Sequence, residues 1–145
     1  MANQRGKART RGRDADPTDA EYAEAAALRE ALRVFHRRSE IVTREHDLTP
    51  RTYQLLLMLK TARAGNEAAG LPELEERLQL GKSTVTELVL RTEERGLVRR
   101  ELDRTRSRGI TVHLTPAGET KLARTVGALG DERRHLLEAL SKIRL

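Results

Sequence analysis

Cysteine and tryptophan are absent from this 145-residue chain, and its only aromatic residues are Tyr22, Phe35 and Tyr53. Without cysteine there is no disulfide scaffold, thiolate metal site, thiol nucleophile or thiol redox sensor. With 22 leucines against so few aromatics, any core is aliphatic. No apolar run approaches the ~18 residues that span a bilayer. No apolar stretch follows the charges of residues 1–13, which therefore do not read as a signal peptide. At 37% hydrophobic and 34% charged, the chain reads as one helical domain in the cytoplasm, with no membrane partner. That composition is lean for a monomer with a large core.

What is present is charge, unevenly placed. The 28 Lys+Arg, mostly arginine, outnumber the 22 Asp+Glu for a net +6. Arg5, Lys7, Arg9, Arg11 and Arg13 alternate with small or polar residues, so residues 1–17 are expected to form a disordered basic arm. Residues 14–50 are net acidic, and residues 99–108 then set five arginines against two acids. Two separated basic elements on a small protein point to nucleic acid, although the arm reads equally well as a solubilising tail.

Thr18-Asp19-Ala20-Glu21 fits a capping box. Leu28, Leu32, Phe35 and Val42, broadened by Ala31, Val34 and Ile41, then form one helical stripe as far as about Glu45. Thr49-Pro50 opens a second helix whose YQLLLML stretch is apolar nearly all round and therefore buried. Residues 64–70 read as a loop, and Pro72 opens a short third helix with Leu74 and Leu78 inward. Leu80-Gly81 makes a tight turn into a fourth helix, which Gly96 stops. The period then falls to two: Ile110, Val112 and Leu114 alternate with Thr111 and His113, residues 97–102 supply a partner strand, and residues 103–109 form the tip. Thr115-Pro116 starts a further helix, Gly130-Asp131 breaks it, and a last helix carries Leu136, Leu137, Leu140 and Ile143.

This order predicts a mostly α fold with a small β-hairpin wing: a winged helix-turn-helix over residues 48–115, flanked by helices over 18–47 and 116–145. The middle block is about 65 residues, a size that buries a marginal fraction of its surface. The flanking helices must complete it, and their surplus apolar stripes suggest a homodimer. On the fourth helix Val85, Leu88, Val89 and Thr92 face inward. The opposite side presents Ser83, Glu87, Leu90, Arg91 and Glu94, flanked by Thr84 and Thr86. Short hydroxyls at a helix N-terminus, with Lys82 beside them, suit double-stranded DNA, since backbone N–H groups take phosphate and Ser or Thr reach base edges. The same side also reads as a solvated helix face. Arg104, Arg106 and Arg108 share one face of an extended tip, where arginine can enter a minor groove.

Other chemistry finds little support. Gly81-Lys82-Ser83-Thr84 imitates a phosphate-binding loop, but Glu76 stands where that motif needs its first glycine. His36, His46, His113 and His135 show no metal-ligand spacing, and no catalytic constellation stands out; neither enzyme activity, cofactor nor metal is expected. Two other classes remain open: an architectural DNA binder indifferent to sequence, and a winged-helix module for a protein partner.

Residues 48–59 (LTPRTYQLLLML), 71–100 (LPELEERLQLGKSTVTELVLRTEERGLVRR) and 110–122 (ITVHLTPAGETKL) together resemble the MarR family of bacterial transcription regulators. The resemblance spans residues 18–145, and its most specific pieces are STVTELV, EERGLV and V-x-LT-x-x-G in that order. It implies a homodimer joined by the first and last helices, commonly a repressor, with two winged helices on a pseudo-palindromic operator. It places Ser83, Thr84 and Thr86 in the groove and Arg108 at the wing position. It also implies release by a small ligand bound between the dimer helices and the winged helix, where His36, Arg51 and Tyr53 are the candidates. The chain departs from the family pattern at three positions. Arg106 replaces the acid that steadies the wing arginine, Glu87 replaces a DNA-compatible residue, and Thr92 replaces a core leucine.

Overall fold

Threonine writes three of the helix starts in this chain. In the computed structural model, which describes residues 15–103 and 109–143, the order is α1 (Asp19–Glu45), α2 (Pro50–Lys60), β1 (Ala68–Gly70), α3 (Leu71–Leu78), α4 (Lys82–Glu94), β2 (Val98–Asp103), β3 (Gly109–Leu114), α5 (Pro116–Ala128) and α6 (Gly130–Lys142). Thr18, Thr49 and Thr115 each accept a first-turn N–H of α1, α2 and α5, and Glu21 completes the capping box by accepting from the Thr18 N–H. Pro50 and Pro116 occupy the first helical position, where the missing N–H has no helical partner to lose. The six helices and the small antiparallel sheet make the winged-helix arrangement that the sequence predicts.

Three local features differ from the sequence reading. Residues 64–70 are not all loop. Ala68–Gly70 forms a third strand, pairing with β3 in the sheet order β1-β3-β2. Two alanines and a glycine carry no β propensity, so this strand exists because β3 offers it an edge. The turn between α3 and α4 takes its left-handed residue from Gln79 (φ 55°), not from Gly81, which instead caps α4 in extended conformation. The break between α5 and α6 falls at buried Leu129, and Gly130 is already helical.

The core is leucine and valine drawn from one continuous block. Leu55, Leu56 and Leu59 of α2 meet Leu74 of α3, Val85 and Val89 of α4, Val98 and Val112 of the hairpin, and Leu122 of α5. Each such side chain contributes about 1.5–3 kcal/mol by leaving water. Among the described residues the buried polar ones are all threonines: Thr43, Thr52, Thr92 and Thr125. Their hydroxyls are satisfied close by, Thr92 for example donating to the Leu88 carbonyl at 2.7 Å. Thr92, on the inner stripe of α4, is thus accommodated without an orphaned polar atom.

Glycine is required at two positions on the wing root. Gly96, at φ 75°, ends α4, and its N–H bonds back to the Glu93 carbonyl. Gly118 on α5 lies so close to the Leu97 carbonyl that any Cβ would collide with it. Thr115 completes this junction: its hydroxyl donates to the Gly96 carbonyl at 2.7 Å and its N–H to Leu97 O at 3.2 Å. The glycine of V-x-LT-x-x-G is therefore what lets α5 rest directly on the start of the wing.

Candidate nucleic-acid interface

Helix α4 is fixed by one side and open on the other. Val85, Leu88, Val89 and Thr92 are buried, while Lys82, Ser83, Glu87, Leu90 and Arg91 are exposed and Thr84 and Thr86 half-buried. The sequence predicted this division, and Lys82, Ser83, Thr84, Thr86, Glu87 and Arg91, singled out as candidate DNA contacts, do share its accessible surface. Its N-terminus differs from those of α1, α2 and α5. Gly81 supplies no side-chain acceptor, so the first-turn N–H groups of α4 carry no side-chain cap and point, with the positive end of the helix dipole, at whatever approaches.

Salt bridges sort the arginines into tied and available ones. Arg100 gives its backbone N–H and its Nε to the Glu93 carboxylate, both at 2.8 Å, joining the end of α4 to β2. The backbone N–H first, and then the guanidinium, hold the Glu93 carboxyl below its ordinary value. Arg99 reaches Glu101 at 3.4 Å, and His113 Nε2 lies 2.9 Å from the same carboxylate. Two of the five arginines read as a basic surface near residue 100 are thus engaged within the protein. Arg95, after α4, donates to the Asp47 carbonyl at 2.5 Å. Arg91 pairs with Glu87 one turn back. Its i,i+4 spacing and the i,i+2 spacing of Arg99 and Glu101 on one strand are local patterns, whereas Arg100–Glu93 joins a helix to a strand and Arg95–Asp47 joins distant segments. Arg104, Arg106 and Arg108, expected at the wing tip, and the basic arm up to residue 14, lie outside the described residues.

The three candidate ligand residues do not share a described cleft. Arg51 lines one of about 570 Å³ between the end of α1, the start of α2 and α4, together with Glu40, Thr84, Glu87 and Arg91. A second cleft, about 490 Å³, runs between α1 and α6 past Val34, Phe35, Arg38 and His135. Tyr53 is half-buried, and burial raises its hydroxyl pKa against the opposing pull of Arg133. His36 is exposed on α1, its ring 5.8 Å from that of Phe35. Among the described residues, no group of three or more His, Asp or Glu is placed to hold a metal, and no helix is long and apolar enough to cross a membrane.

These features define a winged-helix protein with an open recognition-type helix, and comparison with known proteins agrees. The chain is 34% identical over 143 residues to the HTH-type transcriptional regulator TtmR of Methylorubrum extorquens, covering 92% of this chain and 71% of that protein. AbsC, a MarR family transcriptional regulator from Streptomyces coelicolor, superposes with a TM-score of 0.77 at 23% identity, over 86% of this chain and 83% of AbsC. Sco3205, a MarR family regulator from the same organism solved in complex with DNA, gives 0.76 at 23% identity, over 90% and 79%. No family model matches the chain. The chain belongs to the MarR family of winged-helix transcriptional regulators.

Proposed function

We propose that the protein is a homodimeric, sequence-specific DNA-binding repressor acting at a pseudo-palindromic operator. The observation that carries this reading is α4. A buried stripe locks it in place, and its exposed side sets Ser83, Thr84 and Thr86 beside an uncapped N-terminus, with Lys82 next to them. Phosphate oxygens satisfy such N–H groups, and hydroxyls reach base edges in the major groove. Arg104, Arg106 and Arg108 of the wing tip serve the adjacent minor groove. Support for the dimer comes from the flanking helices over 18–47 and 116–145, whose Val34, Ile41 and Leu137 stay exposed in the single chain. Two copies must hold their α4 helices about 34–36 Å apart to meet successive major grooves. A small ligand regulates the protein if it favours a different spacing; the cleft containing Arg51 opens directly beside α4.

Fluorescence anisotropy over a salt series, comparing DNA from upstream of the protein's own gene with a scrambled duplex, tests the reading. One dimer bound at least ~10³-fold better to the first supports it. Equal binding to both, falling steeply with salt, favours an architectural binder instead. No binding to either turns the assignment toward a protein partner.

A further inference from the structure

A carboxylate on a surface that meets phosphates is repelled by every DNA sequence alike, unless it takes a hydrogen bond from a base. Glu87 is such a carboxylate. It sits half-way along α4, on the side opposite the buried stripe and one turn beyond Ser83, with 62% of its side chain exposed. Resting on the reading of α4 as the groove helix, we propose that Glu87 reads a cytosine, accepting a hydrogen bond from its exocyclic amino group. Each half-site then carries a C·G pair at one fixed position. Two observations support this. Arg91 Nη2 donates to Glu87 Oε1, while Oε2 takes no hydrogen bond from any described residue. The pair therefore leaves one carboxylate oxygen for a partner, and the guanidinium both offsets the negative charge and restrains the side chain. Arg91 is thus a positioning residue, with further N–H donors left for the phosphate backbone.

The chemistry of the major groove selects the base. Guanine offers N7 and O6 and thymine offers O4, all acceptors that repel a carboxylate. Adenine sets its amino group beside the acceptor N7, whereas cytosine presents its amino donor alone. A glutamate constrained by an arginine is therefore matched to cytosine.

The test is selection from a randomised duplex library with the full chain, sequencing the bound DNA for wild type, Glu87→Ala, Glu87→Gln, Arg91→Ala and Glu94→Gln, each checked for folding by thermal melting. Wild type is expected to enrich a two-fold symmetric motif with C·G at a fixed position in each half. At that position discrimination of about 5- to 100-fold should fall towards parity in Glu87→Ala. In Glu87→Gln it should leave cytosine, with the rest of the motif intact in both. Arg91→Ala should weaken binding to all sequences and blur the same position, and Glu94→Gln should leave the motif unchanged. A motif unaltered in Glu87→Ala, or affinity raised equally for all four bases, overturns the proposal: the carboxylate is then only a repulsive charge. If wild type enriches no motif, the groove reading of α4 itself fails and takes this assignment with it.

Discussion

The block from Leu48 to Leu122 and the two helices that flank it solve the burial problem differently. Every member of the main buried hydrophobic cluster belongs to that block, Leu129 lying apart from it. In contrast α1, with 27 residues, buries only Thr43, and α6 buries none. These two helices pack along one another, yet leave Leu28, Val34, Ile41 and Leu137 exposed. Among the described residues, two of the three buried side-chain polar atoms without a hydrogen-bond partner, Ser39 Oγ and Glu132 Oε2, also sit on them. The contrast teaches that one part of the chain is finished by its own sequence, while the other leaves apolar surface uncovered in the single chain, where the proposed dimer contact falls.

Substitutions on either side should break this contrast in opposite ways. Leu55→Ala, inside the core, should lower stability by about 2–5 kcal/mol, read as a drop in the urea midpoint for the whole chain. Gly118→Ala should cost about 1–3 kcal/mol by overpacking, because the obstacle is the Leu97 backbone and not a side chain that can swing away. Hydrogen exchange should show its effect first at the root of the wing. Ile41→Asp with Leu137→Asp should change the stability of an isolated chain by no more than about 0.5 kcal/mol each, both being exposed. In sedimentation the same pair should halve the particle mass; an unchanged mass would remove the flanking helices from the proposed dimer contact.

The smallest effect sharpens the contrast within the block itself. Gly81 has open space around it, so Gly81→Asp is sterically free and adds a side-chain cap to α4. It should raise stability by only a few tenths of a kcal/mol while weakening DNA binding, since it fills the uncapped N-terminus with negative charge. Parallel gains in stability and binding would show that the bare N-terminus is not a phosphate contact.

Most of this architecture was legible because its signals are local. Thr-Pro starts, a glycine stop and the change of period from 3.6 to 2 fixed helices and hairpin to within a residue or so. The same locality explains what was missed. Ala68–Gly70 becomes a strand only because β3 lies beside it. The turn expected at Leu80-Gly81 has its left-handed residue at Gln79, and Gly81 is extended as the residue before α4. At the interface, helical periodicity found the exposed side of α4. It could not show that Arg100 is engaged by Glu93, since that pair forms only once β2 folds back against the end of α4, whereas Arg99 and Glu101 alternate on one strand within the run itself.

Asp47 sits in the turn after α1 with φ 62°, its carbonyl held by Arg95 and its carboxylate 3.6 Å from Lys121. Mechanically this pins one end of a long helix. Treated as a rigid rod of about 40 Å, α1 swings its far end by about 3.5 Å for a tilt of only about 5°. The tethered end, where Arg95 follows α4, scarcely moves. On such a rod Tyr22, near the free end, has the longest lever arm about Asp47, and Arg95 almost none.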